Sequence, residues 1–141
     1  MKSRSIFAGS LLLAALSTGA LADGITFKAD LTGAQEVPAT DSKGTGTAVF
    51  TYDPTTKLLK WTVTYSGLSG SATMAHIHGP AEPGKNAGVV IGFAQPGSPI
   101  EGSATLTEAQ AADLTAGKLY VNVHTADHKS GEIRGQLTAA K

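Results

Sequence analysis

Leu59-Lys60-Trp61-Thr62-Val63-Thr64-Tyr65 places a large apolar side chain at every second position, with polar residues between. A period of two puts Leu59, Trp61, Val63 and Tyr65 on one face of a strand, buried on that face and wet on the other. Both aromatic residues read most simply as core. The same pattern extends in both directions. Upstream, Ile25, Phe27, Ala29 and Leu31 alternate with polar or charged neighbours, and a second strand is expected over residues 45–52. Asp53-Pro54 then opens a turn, because proline presets φ and has no N–H for a ladder.

Downstream, Gly67 and Gly70 interrupt the pattern and residues 72–78 read as a fourth strand. Residues 79–88 form a Pro/Gly loop. The apolar run Val89 to Phe93 reads as a short buried strand, and residues 103–106 as another. One helix is expected after Thr107: the threonine caps it, Gln110 completes a capping box, Glu108 complements the dipole and Gly117 stops it. Residues 119–125 and 132–137 read as the last two strands, joined by a hairpin loop over 126–131. Seven or eight short strands with turns between them predict an all-β fold, an antiparallel Greek-key sandwich or barrel with one short helix.

The N-terminal segment indicates the compartment. Lys2 and Arg4 precede the apolar run Ile6 to Leu16, and Ala20-Leu21-Ala22 has the small-x-small form of a cleavage site. Residues 1–22 are therefore expected to be a secretory signal peptide, leaving residues 23–141 as one β-domain, periplasmic or secreted. No later stretch approaches the about 20 apolar residues of a membrane-spanning helix. Cleavage removes two of 11 basic residues and none of 11 acidic ones, so the domain carries a formal charge of −2. That balance gives no basic face for nucleic acid. With 0 cysteines there is no disulfide, and any metal site must use nitrogen, oxygen or thioether ligands.

All 4 histidines fall in two short segments, Met74-Ala75-His76-Ile77-His78 and Val123-His124-Thr125-Ala126-Asp127-His128. On a strand His76 and His78 project from one face, with Met74 beside them, while Ala75 and Ile77 face the core. His124 shares a face with Tyr120 and Asn122, and His128 lies in the following loop. The expected ligand set is His76, His78, His124, Met74 and His128. Imidazole without thiolate suits copper or zinc, and export together with the thioether of Met74 favours copper. The plainer alternatives are a core-filling Met74, a solvated His128 and histidines that are ordinary polar residues.

Other motifs carry less. Glu132 and Arg134 share a strand face and are expected to form a surface charge pair of little worth, with Arg134 as an anion guide in a minority reading. No Gly-x-Ser-x-Gly elbow is present, and Gly44-Thr45-Gly46 lacks the context of a phosphate loop.

The segments Leu31-Thr32-Gly33-Ala34-Gln35-Glu36-Val37-Pro38, Ala75-His76-Ile77-His78-Gly79-Pro80-Ala81, Tyr120-Val121-Asn122-Val123-His124-Thr125 and Gly131-Glu132-Ile133-Arg134-Gly135-Gln136-Leu137 resemble the CHRD domain, named after chordin. The resemblance implies an extracytoplasmic β-domain over residues 23–141. A fainter likeness, carried by His76-Ile77-His78, His124 and a later arginine, is to the copper half of Cu/Zn superoxide dismutases. It implies His76, His78 and His124 as copper ligands and Arg134 as anion guide. The chain departs from that family in lacking a second histidine-and-aspartate run for zinc and a cysteine pair. Three functions follow: an exported copper-binding or copper-buffering protein, a copper-dependent superoxide dismutase-like enzyme, and a metal-free structural or adhesion module using an unpaired sheet edge. Neither a protein partner nor an oligomeric state is legible in the chain.

Overall fold

The computed structural model describes residues 24–141; the expected signal peptide and its cut after Ala22 lie outside the described residues. The elements are β1 (Ile25–Thr32), a 3-10 turn (Gly33–Gln35), β2 (Thr45–Tyr52), β3 (Leu58–Ser66), β4 (Ala72–His78), β5 (Val89–Gly92), β6 (Ile100–Thr105), α1 (Glu108–Thr115), β7 (Tyr120–Thr125), β8 (Ile133–Gln136) and β9 (Thr138–Ala139). They form one antiparallel sheet in the order β5-β4-β7-β8-β1-β2-β3-β6, with β9 also paired to β1, and the sheet curls into a half-barrel. The chain crosses between the wing β5-β4-β7-β8 and the wing β1-β2-β3-β6 after β3, after β5 and after β6.

Register explains why the curl closes on a core. Phe27 lies opposite Phe50, which lies opposite Trp61; Ala29, Ala48 and Val63 form the next such row. Successive apolar cross-strand rows put one continuous oily face on the β1-β2-β3 wing. The rings of Phe50 and Trp61 have centroids 5.9 Å apart, and Phe93 closes on Trp61 at 5.1 Å. Ala75, Ile77, Val121, Val123 and Ile133 supply the facing surface from the other wing, and all of them are buried. Where the wings meet, Thr32 pairs with Arg134, and a Cβ at Gly135 would collide with the Asp30 carbonyl, so β8 and β1 touch there backbone to backbone.

The helix forms as its caps predict. Thr107 Oγ1 accepts from Gln110 N at 3.1 Å, Thr107 N donates to Gln110 Oε1 at 3.0 Å, and Gly117 takes φ 73° just beyond the end. Two expectations change. The run Val89 to Phe93 is an edge strand rather than a buried one: among the described residues β5 pairs only with β4, and Val89 is 55% exposed while Phe93, just past the strand, enters the core. The strand expected at 103–106 begins at Ile100, because Ile100 pairs with Val63 and extends the ladder.

Candidate metal centre

Strand alternation sorts the wing β4-β7-β8 into two faces. Ala75, Ile77, Val121, Val123 and Ile133 point into the core, so Met74, His76, His78, Tyr120, Asn122, His124 and Arg134 share the other face. Pairing sets them in rows: Met74 opposite His124, His76 opposite Asn122 and then Arg134, His78 opposite Tyr120 and then Gln136. The loops after β1 and after β4 lie over part of this face, with Asn86 donating to the Val37 carbonyl at 2.9 Å.

His76, His78 and His124 converge. Each offers a ring nitrogen within 4.8 Å of the others, and His76 Nδ1 stands 3.1 Å from His124 Nε2. A metal with bonds of 2.0 to 2.1 Å to nitrogen sets tetrahedral ligands about 3.4 Å apart, so small ring movements close the set. Two tautomers are fixed by carbonyls, which only accept: His78 Nδ1–H donates to the Ala87 carbonyl at 2.9 Å and His124 Nδ1–H to the Lys129 carbonyl at 2.7 Å. Their Nε2 atoms are therefore acceptors, and that of His124 takes the His76 Nδ1–H proton, which a metal ion would displace. His78 Nε2 is buried with no hydrogen-bond partner among the described residues. Burial first, and the neighbouring imidazoles second, hold His76 below the ordinary histidine pKa. For His78 burial is also the largest cause of a lowered pKa, against the hydrogen bond to Ala87.

Of the other two expected ligands, Met74 is the cross-strand neighbour of His124, and His128 lies past the end of β7. Met74 is half-exposed at the rim, opposite His124. His128 turns away: its Nε2 faces Glu132 Oε1 at 4.0 Å, and its backbone N–H is tied into the turn after Thr125.

The expected surface pair of Glu132 and Arg134 is not one. Glu132 is 0% and Arg134 2% exposed, and each has its own partners. The Glu132 carboxylate accepts from Ser42 Oγ at 2.7 Å, Ser69 N at 2.9 Å, Thr125 Oγ1 at 2.7 Å and Ser69 Oγ. Burial pushes its pKa up, but these hydrogen bonds win and bring it down to about 2. Arg134 reaches Asn86 Oδ1 at 2.9 Å and the Lys85 carbonyl, and its guanidinium lies 3.5 Å over the Tyr120 ring. The reason is position: β8 sits inside the sheet beneath the covering loops, where a charge persists only if it is well partnered.

Glu36 and Tyr120 carry parts that sequence reasoning missed. Tyr120 stacks on His78 at 5.0 Å between centroids and 6° between planes. Glu36, just past the 3-10 turn, is buried, and its Oε1 has no hydrogen-bond partner among the described residues. Burial raises its pKa to about 7, against the lowering pull of Arg134 and Asn122. The unfolded chain loses this proton near pH 4.5 and the folded protein near 7, so Glu36 lowers stability progressively as pH rises across that window. Glu36→Gln is expected to stabilise the fold by about 1–3 kcal/mol at pH 8 and to be nearly neutral at pH 4. Urea unfolding at the two pH values measures it; equal shifts at both would contradict a buried, reluctantly ionised carboxyl.

A protein-family model described as CHRD domain matches residues 27–137, nearly the whole of the described chain. CHRD domains occur in extracellular proteins. No curated protein and no solved structure gives a significant match. Among the described residues, no helix is long and apolar enough to cross a membrane.

Proposed function

The chain belongs to the CHRD domain family, and from that premise we propose that it is an exported copper-binding module whose metal is held by His76, His78 and His124. The observation that carries this reading is the convergence of three imidazoles, two of them with Nε2 lone pairs preset by backbone carbonyls. A buried acceptor without a donor, such as His78 Nε2, is costly in an apolar setting and is relieved by a metal ion. The all-nitrogen set suits copper or zinc. The half-exposed thioether of Met74 at the rim favours copper, since it is a soft donor available to the reduced ion. His128 joins no part of this set and is not needed for it. The signal-peptide reading of residues 1–22 puts the module in the periplasm or outside the cell, where it would bind and buffer copper.

Copper-dependent superoxide chemistry is a second reading, favoured by one observation: three protein ligands leave a fourth position for a small anion. That reading requires the fourth position to stay free of Met74 and open to a small anion.

Only neutral imidazole binds metal, so protons compete with copper. His76 and His78 are held below 6.5, and their protonation therefore sets in below that pH. Copper affinity is expected to be level from pH 7 to 8 and to weaken steadily below about pH 6. Competition titrations against a chelator of known affinity measure this. An affinity unchanged from pH 8 down to pH 5 would count against imidazole ligation. A thermal melt gives a second test: copper at a hundredfold excess over its Kd adds about 2.7 kcal/mol to the folded state, and no shift in Tm would count against the site.

A further inference from the structure

We propose that Arg134 and Tyr120 are positioning residues that hold the His78 imidazole in the tautomer and orientation a metal ion needs, an inference that rests on the copper-site reading above. The evidence is a stack and a clamp built from one another. In the sheet β7 lies between β4 and β8, so Tyr120 meets His78 from one neighbour and Arg134 from the other. The His78 ring is stacked on the phenol at 6°, and the guanidinium lies 3.5 Å over the same phenol. The ring of Tyr120 therefore cannot turn without breaking both contacts.

The clamp acts on the loop that fixes the tautomer. Arg134 donates to Asn86 Oδ1 and to the Lys85 carbonyl, which ties down residues 85 and 86. The Tyr120 hydroxyl donates to the Ala87 carbonyl at 3.1 Å and accepts from Ala87 N at 3.0 Å, which ties down residue 87. That same Ala87 carbonyl accepts from His78 Nδ1–H. One carbonyl oxygen thus takes both the phenol and the imidazole proton, and Arg134 holds the two residues that precede it. Outer partners of this kind fix the tautomer and ring angle of ligating histidines. An anion guide needs a guanidinium in contact with solvent, whereas Arg134 is 2% exposed and spent on the loop and the phenol.

Nitrogen-correlated NMR of the imidazoles in the 15N-labelled, metal-free protein, together with copper titration, tests the proposal. The native protein should show His78 in a single tautomer, protonated at Nδ1. Arg134→Met should give mixed tautomers at His78 and a copper affinity about 10- to 100-fold weaker. His124, whose Nδ1–H is held by the Lys129 carbonyl from another loop, should keep its tautomer and serves as the internal control. Tyr120→Phe retains the stack and loses only the hydroxyl, so it should move His78 in the same direction by less. If Arg134→Met does not fold, Tyr120→Phe decides alone. A folded variant with an unchanged His78 tautomer and affinity within twofold of the native protein overturns the proposal. If the native protein takes up no copper while the variants still mix the His78 tautomers, the copper reading falls and the positioning role stands.

Discussion

Replacing His76 and His78 together by alanine is expected to weaken copper binding by at least about 100-fold while leaving the metal-free fold largely intact. The loss is large because two of three converging nitrogens disappear, and among the described residues no other histidine, cysteine or acidic group completes a cluster with His124. The fold should survive for a different reason. His78 carries a buried Nε2 without a partner, so its removal also removes an unpaid desolvation cost that offsets the lost stacking on Tyr120. His76 is only half-buried. Isothermal titration with copper measures the first effect and a metal-free melt the second. Native-like affinity in the double variant would move the copper elsewhere; a collapsed melt would mean that the histidines are framework.

Glu132→Ala is expected to do the reverse, costing about 3 kcal/mol of stability or more and lowering Tm by about 10 °C. The carboxylate ties the loop after β1, through Ser42, and the crossover after β3, through Ser69, to the start of β8. Removing it leaves donors on Ser42, Ser69 and Thr125 facing a cavity. The pH dependence has a definite sign. Its folded pKa, about 2, lies below the unfolded value of 4.5, so its contribution is complete above pH 4.5 and is lost as pH falls towards 2. The difference between native and variant protein should therefore shrink in acid. Glu101→Gln, on an exposed position of β6, is the control and should leave Tm unchanged. A Glu132→Ala protein as stable as the native one at pH 7 would contradict the network.

Much of this architecture was legible in the chain, for local reasons. Period-two alternation marks β2 and β4 to their ends, and it assigns His76 and His78 to one face with Ala75 and Ile77 opposite. The capping box of α1 is written in Thr107 and Gln110. What was hidden depends on partners distant in sequence. Val89-Val90-Ile91 has no alternation, so nothing local tells an edge strand from a buried one. The histidine segments meet only because β4 pairs with β7 across the intervening β5, β6 and α1, and nothing local records that pairing. His128, four residues past His124, leaves the strand and so leaves the face. Glu36 sits in a turn-rich, proline-bearing stretch with no alternation to mark a buried position, and the packing of that loop over Asn122 and Arg134 buries it. The burial of Arg134 follows from the same loops.

The central claim is that three imidazoles hold one copper ion, and electron paramagnetic resonance of the protein titrated with Cu(II) tests it most directly. The expected result is saturation near one copper per chain, with hyperfine structure from three nitrogens that is lost in the His76→Ala, His78→Ala protein. Copper that stays in the buffer, or a bound signal identical in the two proteins, would contradict it.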